Sequence, residues 1–441
     1  MDYDYDLVVI GAGSGGLAAA RRAKALGKRV AIAEKNLVGG TCVNRGCIPT
    51  KLMIYAAEFA QSPSLAKKYG WTDCEAKFDW SLFKQSMHEH LHSIRESQLE
   101  GLDGIDLLRG EAQFVDAHTL EVDQQKITSE FVLIAVGSKP LMPDLPGMEH
   151  AISSKDVFDL EQLADSFVIA GGGYIGVEFA QIFRYFGCEV TLVDSNPHVL
   201  DGFDHAIQKR AKETLERDGV RVVDQARLES IEKTADGFKT LLDNGKEIEA
   251  KQVLCALGRV PNTKGLNLDA VAVTLEKGNV VVDEFKRTAV DNIFAVGDCT
   301  KTIMLTPVAK AEGEAAVETM FGEARQVDYR WVPSAVFMHP EHAMVGPTEK
   351  EAKEQNIDYK VVEDTFTPLK FAMADGDSMT SHLKLLVSPK REEILSVHLS
   401  MPRSADLVQM LVPALKKGLT LSDLREVIAV HPSTGEELFC L

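Results

Sequence analysis

The stretch DLVVIGAGSGGLAAARRAKALGKRVAIAE, residues 6–34, decides the fold. DLVVI is a short apolar run that reads as a buried strand, and the alanine-rich LAAARRAKALG after it reads as a helix. Between them Gly11, Gly13 and Gly16 make G-x-G-x-x-G, with Ser14 and Gly15 completing the loop. The first glycine permits a tight turn, the second lets backbone approach a pyrophosphate, and the third lets helix and strand pack closely. The helix N-terminus then receives the phosphate charge. The next strand, RVAIAE, ends in Glu34, where a carboxylate can take ribose hydroxyls.

The pattern recurs. SFVIA leads into GGGYIG, which places Gly171, Gly173, Tyr174, Ile175 and Gly176 ahead of the helix VEFAQIFRYFG and the strand EVTLVD, ending in Asp194. Twenty-three positions separate Gly11 from Glu34, and the same number separates Gly171 from Asp194. Two copies with strand, helix and acid in register predict two dinucleotide sites. VLIAVGSKP (132–140, with Gly137) and VLCALGRVPN (253–262, with Gly258) each read as a strand followed by a glycine turn, and each closes off one unit. The second unit is therefore expected to be inserted within the first. NIFAVGDCT (292–300) adds a strand ending in Gly297-Asp298, where a carboxylate suits a sugar-alcohol chain. Beyond residue 326, YRWVPSAVF, HLKLLVSP and EILSVHLS read as antiparallel strands, followed by the helices ADLVQMLVPALKKG and LSDLREVIA. The predicted class is α/β, with two Rossmann-like domains, the second inserted in the first, and a C-terminal α+β domain. The expected boundaries are 1–142, 143–265, 266–326 and 327–441.

Composition narrows the function. A chain of 441 residues is too long for one domain of roughly 100–200 residues. Its 66 acidic and 48 basic residues give a net charge of -18, which disfavours nucleic acid and anionic membranes as partners. No apolar run reaches the ~18–20 residues needed to span a bilayer, and MDYDYDLVVIG lacks the pattern of a secretory signal, so a cytoplasmic location is expected. Of seven cysteines, Cys74, Cys188, Cys255, Cys299 and Cys440 are scattered and read as ordinary residues.

The other two, Cys42 and Cys47, lie five apart in GGTCVNRGCIPTK (39–51). A zinc site needs three or four ligands, and no second cysteine pair or histidine cluster accompanies these two, so no metal is expected. A structural bridge is unusual inside cells. A redox couple fits better, because a helix starting near Ile48-Pro49 points its positive end at the sulfurs and favours a thiolate.

GGTCVNRGCIPTK, the two fingerprints, AVGD followed by LTPVA, and the terminal HPSTGEE together resemble the flavoprotein disulfide reductases, the class I pyridine nucleotide-disulfide oxidoreductases that include glutathione reductase, lipoamide dehydrogenase and mercuric reductase. The resemblance runs from about residue 5 to the end of the chain and is nearest to glutathione reductase. It implies FAD in the first nucleotide site, a nicotinamide cofactor in the second, and a C-terminal domain that makes a homodimer. It carries FAD contacts onto Thr41, Cys42, Lys51, Ala112, Gly137, Asp298 and Thr306, besides the fingerprint residues and Glu34. Cys47 then corresponds to the thiolate against the flavin and Cys42 to the thiol that attacks a small-molecule disulfide. Lys51 corresponds to the lysine near the flavin, with Glu178 as its partner, and Tyr174 to the tyrosine that covers the flavin. His431, oriented by Glu436, corresponds to the acid-base group supplied across the dimer.

The strand ending in Asp194 continues as SNPHVLD, without an arginine for a 2′-phosphate, which points to NADH rather than NADPH. Substrate signals conflict. Arg21 falls where glutathione reductase contacts a glutathione carboxylate, yet Glu314 stands where a second arginine is expected. A modified glutathione, or lipoamide as in dihydrolipoamide dehydrogenase, is the alternative, the latter supported by Thr50-Lys51. Mercuric reductase fits less well, since Cys440 stands alone where that enzyme has a terminal pair. A redox-inert nucleotide-binding scaffold would not need Cys42, Cys47, His431 and Glu436 together.

Overall fold

A computed structural model of the chain describes residues 2–72, 77–373 and 379–440; Cys74 lies outside the described residues. The first fingerprint forms the strand Tyr5–Ile10, the helix Ser14–Ala25 and the strand Val30–Glu34. Leu7, Val8 and Val9 are fully buried. This is the burial expected of a parallel strand covered on both faces. The parallel order is Asp106–Arg109, Val30–Glu34, Tyr5–Ile10, Gln125–Ile134 and Ile293–Ala295, with Leu7 opposite both Val30 and Phe131. The outer half of Gln125–Ile134 turns into an antiparallel extension with Thr119–Val122 and Ala112–Phe114.

The second fingerprint builds a separate parallel sheet in the order Arg221–Val223, Glu189–Val193, Ser166–Ala170, Gln252–Cys255 and Ile152–Ser153. Its segments lie in sequence between Gln125–Ile134 and Ile293–Ala295 of the first sheet, so one nucleotide-binding fold interrupts the other. The two segments that follow the glycine turns, Ser138–Pro140 and Arg259–Pro261, pair antiparallel where the chain leaves and returns. An antiparallel meander of Leu228–Lys233, Phe238–Leu242 and Glu247–Ala250 is absent from the sequence reading. Leu228–Lys233 breaks the apolar alternation by which strands are recognised, and Glu247–Ala250, which keeps it, is only 4 residues long.

The chain folds as two compact units, Met1–Thr50 with Ser81–Leu141 and Gly258–Asp328, and Lys51–Trp80 with Met142–Leu257 and Tyr329–Leu441. Among the described residues, no helix is long and apolar enough to cross a membrane. The C-terminal sheet has the order Ser334–Val336, His342–Val345, Ile394–Ser400, Ser381–Val387 and Lys360–Phe366, and it is antiparallel throughout. One face, with Leu383, Leu385, Val397 and Leu399, packs with Val408 and Leu415 of the helix Ser404–Leu415.

The opposite face is polar and also buried, carrying His342, Lys384, His398 and Ser400. Lys384 Nζ reaches Asp204 Oδ1 at 2.9 Å and Glu349 Oε2 at 2.8 Å, with Asp204 capping the helix His205–Arg217 through Ala206 N. Burial works against the Asp204 carboxylate, but the His398 ring, Lys384 and the N–H groups of Glu349 and Ala206 outweigh it and hold its pKa at about 2. The linked stability is complete above the ordinary value of 3.8 and is lost as pH falls through about 2. Lys384→Met strands a buried carboxylate and is expected to lower stability by about 3–5 kcal/mol near neutral pH. Urea melts at pH 7 check this; an unchanged midpoint would remove the network from the forces holding this unit together.

Candidate active site

Each fingerprint acid is locked to its own glycine loop. Glu34 Oε2 accepts the Ala12 N–H at 2.8 Å and Oε1 accepts Asn36 N–H at 2.7 Å. Asp194 repeats the arrangement, with Oδ2 on the Gly172 N–H and Oδ1 on Asn196 N–H at 2.7 Å. Each carboxylate oxygen keeps lone pairs for further donors, as ribose recognition requires. Gly11 and Gly171 have φ of +107° and +110°, and a side chain at either would strike the carbonyl of Ala135 or Ala256. Gly13 abuts Gly40, so the loop before the cysteines lies against the first fingerprint. Ser14, Gly15 and Gly16 begin the helix, and Tyr174, Ile175 and Gly176 begin its counterpart Tyr174–Tyr185, with Tyr174 46% exposed.

Around the first nucleotide fold, Asp298 Oδ2 accepts Ser138 Oγ at 2.7 Å, and Arg259 lies 3.9 Å from the same oxygen. Gly137 and Gly258 adopt positive φ at the turns beside this pair, and Ala112 is buried at the start of its strand. A residue of the AEGE stretch, in which the sequence shows a likeness to lipoamide dehydrogenase but no structural role, braces the turn: Glu312, fully buried, accepts Gly297 N–H at 2.7 Å and Thr302 Oγ1 at 2.6 Å, and pairs with Lys286 at 3.0 Å. Nothing local in the sequence marks a pair 26 residues apart.

Cys42 lies in the short helix Gly40–Arg45, beside Thr41, and Cys47 is the first residue of the helix Cys47–Lys68. That start falls one residue before the expected Ile48-Pro49, which puts Cys47 itself in the first turn. Both thiols are free, and they share a hydrogen bond. Thr306, which opens the helix Thr306–Phe321, has its Oγ1 3.8 Å from Cys47 Sγ. The Cys47 hydrogen bond, Thr306 and the Lys310 charge overcome burial and bring the Cys42 thiol down to about 6, while the Cys47 thiol, donating to Cys42, is pushed up. The two thiols titrate as one coupled pair, which gives up its first proton more readily than an ordinary thiol. At neutral pH the pair holds a thiolate with a thiol beside it, which is the reactive form for thiol–disulfide exchange. Of the remaining described cysteines, Cys188, Cys255 and Cys299 are buried and Cys440 is exposed.

In the other unit, Lys51 pairs with Glu341 Oε1 at 2.9 Å, not with the expected Glu178. Glu178 instead accepts the Phe337 N–H at 2.9 Å, while the Lys51 ammonium stands 3.9 Å from the centre of the Phe337 ring. Both side chains converge on Phe337, but the carboxylate that reaches Lys51 comes from a distant segment. His431 Nδ1 donates to Glu436 Oε2 at 2.9 Å, which turns Nε2 outward; the His431 side chain is 83% exposed. Ser433 N–H donates to the other Glu436 oxygen at 3.1 Å, so the tail itself holds the carboxylate in place. Arg21 is committed to Gln98 Oε1 at 2.8 Å and to the Gly101 carbonyl at 3.3 Å, and Glu314 is exposed.

Two dinucleotide folds and a thiolate–thiol cysteine pair on one chain define a nucleotide-dependent dithiol–disulfide oxidoreductase. Residues 5–313 match the pyridine nucleotide-disulphide oxidoreductase family and residues 332–439 its dimerisation domain. The chain belongs to this family, and it is a flavoprotein disulfide oxidoreductase that uses FAD and a pyridine nucleotide. It is 38% identical to a glutathione reductase of Nostoc sp., covering 99% of each chain. It is also 38% identical to the chloroplastic/mitochondrial glutathione reductase of Pisum sativum, over 99% of this chain and 82% of the relative. A glutathione reductase of Burkholderia cepacia is 35% identical over 100% of this chain and 98% of its own length.

Proposed function

We propose that the enzyme reduces a glutathione-type disulfide with NADH through the Cys42–Cys47 pair. The observation that carries this reading is the pair of free cysteines on two successive helix starts, with Cys47 opening the helix Cys47–Lys68 and Thr306 beside its sulfur, a setting that favours a thiolate. The relatives' name, glutathione reductase, supports the substrate class. Gly11, Gly13, Ser14, Gly15, Gly16, Glu34, Thr41, Gly137, Asp298 and Thr306 would hold FAD, with the glycines of the loop offering bare backbone that a pyrophosphate would approach. Bound FAD supplies the two-electron link between the nicotinamide and the cysteine pair. Cys42 attacks the substrate disulfide, Cys47 displaces the bound half, and His431 carries the proton to the leaving thiol. Glu436 orients that imidazole.

Nothing else need hold His431 in place on its own chain, and the residues just before it, Ile428 and Val430, are 98% and 77% exposed apolar side chains. A second copy of the chain is the natural cover for such a surface. The reading is therefore a homodimer in which the partner subunit's His431 serves Cys42, working in the cytoplasm, where thiols stay reduced.

Asp194 supports NADH. A carboxylate at the end of that strand binds a ribose hydroxyl and repels a 2′-phosphate, and no lysine or arginine lies in 195–201 to reverse the sign. Steady-state turnover is expected to give kcat/KM for NADH at least about tenfold above NADPH, a difference of about 1.4 kcal/mol. Equal or reversed preference sinks the cofactor assignment. Failure of NADH and NADPH alike to drive reduction of glutathione disulfide, its amide or lipoamide sinks the reading as a whole.

A further inference from the structure

The polar face of the C-terminal sheet is assembled by strand register. Thr365, His382, Ser400 and His342 stand opposite one another across four strands, and Glu363, Lys384, His398 and Met344 form the adjacent row. Facing residues in such rows have Cβ atoms about 4.5–5.5 Å apart. Within the same compact unit the helix His205–Arg217 closes over them: its cap Asp204 reaches Lys384 at 2.9 Å, Arg210 reaches Thr365 Oγ1 at 3.1 Å, and Arg217 reaches the His339 carbonyl at 3.4 Å. His342 is fully buried, and neither of its ring nitrogens has a hydrogen-bond partner among the described residues. His398 and His382 are buried too, each against a hydroxyl, Ser396 Oγ at 3.0 Å and Thr365 Oγ1 at 3.1 Å. A neutral imidazole tolerates such packing, whereas an imidazolium brings two donors and a charge that need acceptors.

We propose that this seam is a proton-operated latch: His342, His382 and His398 let the helix His205–Arg217 lie on the sheet only while they are uncharged, and they take up protons as the seam opens in acid. The charges around the rings set the order. Burial first, then Arg210 and Arg217 of the helix, holds the His342 ring neutral and brings its pKa down to about 3. Burial and Arg210 also lower His382, with Lys384 of its own strand, against Glu363 of the edge strand at 3.7 Å. Burial brings His398 to about 4, with Asp204 and Glu351 opposing it and Lys384 assisting. Glu213 acts on Arg210, and Glu349 is paired with Lys384. Because all three rings lie below the ordinary 6.5, the closed seam binds fewer protons than the open one; its contribution is complete above pH 6.5 and is lost as pH falls toward about 3. Asp204 and Glu349, each held at about 2, stay charged through that window, so the ion pairs of Lys384 outlast the latch. The segment from Asp194 to Asp204 runs straight into this helix, so an open seam loosens the second nucleotide fold.

Hydrogen–deuterium exchange of the holoenzyme reads the latch directly. Peptides over 204–217 and 381–400 are followed at about pH 7.5, 6 and 5, corrected for the intrinsic exchange rate, with peptides over 5–10 and 125–134 of the first sheet as reference. Each histidine that takes up a proton on opening raises the opening constant about tenfold per pH unit below 6.5, so the seam peptides of the parent are expected to lose protection by at least that factor while the reference peptides keep theirs. His342→Gln keeps a polar side chain that does not titrate and is expected to flatten this dependence by about tenfold per pH unit. His342→Leu also removes the unpartnered nitrogens, and adds slower exchange at pH 7.5 to the same flattening. An unchanged pH dependence in His342→Gln overturns the proposal, even where His342→Leu fails to fold. Equal loss of protection in the seam and reference peptides overturns it too, since acid would then unfold the whole chain rather than open this joint.

Discussion

Cys42→Ser is expected to abolish disulfide reduction, lowering kcat by at least about 10³-fold, while NADH still reduces the bound flavin. The asymmetry follows from the two sulfurs. The pair as a whole gives up its first proton more readily than an ordinary thiol, and Cys42 is the sulfur that the family resemblance assigns to attack on a substrate disulfide. A serine hydroxyl there cannot ionise in the working range. Stopped-flow reduction separated from steady-state turnover distinguishes the two half-reactions, and turnover within tenfold of the parent would remove Cys42 from the chemistry. The parent carries its own pH signature. Because the Cys42 pKa lies below that of an ordinary thiol, its alkylation rate should rise through about pH 6 and level off by neutrality. A rate still climbing at pH 9 contradicts the thiolate assignment.

His431→Gln is expected to lower kcat by about 10²–10⁴-fold, the range for loss of a positioned general acid–base group. Glutamine keeps a polar side chain near Glu436 but cannot exchange a proton, so the loss should fall on kcat more than on KM. A sharper measurement mixes inactive His431→Gln with inactive Cys42→Ser protein after dissociation and reassociation. If the histidine acts across a two-fold dimer, hybrids contain one intact site in two, and an equal mixture should recover about a quarter of parental activity. No recovery from a mixture shown to contain hybrids would place His431 on the same subunit as the cysteines it serves.

Glycine loops, strand ends and the acids 23 residues on are legible because their requirements are local. Gly11 and Gly171 need backbone angles that side chains forbid, and Glu34 and Asp194 sit where a strand of given length must end. The same holds for Cys42 with Cys47 and for His431 with Glu436, neighbours in sequence as well as in space. The antiparallel meander of residues 228–250 escapes such a reading, since Leu228–Lys233 breaks the alternation and Glu247–Ala250 is too short for its alternation to stand out.

The amino-acid sequence by itself thus determined two dinucleotide folds, one inside the other, and the kind of chemistry between a cysteine pair and a histidine. Only the tertiary structure decided the partners of buried or half-buried charges: Glu341 rather than Glu178 for Lys51, Glu312 for Lys286, and Asp204 with Glu349 for Lys384. It likewise brought Thr306 and Lys310 to the cysteines. The physical reason is range. A turn or a helix start is set by the angles of a few adjacent residues, whereas a charge removed from water takes whichever opposite charge the packing of distant segments delivers.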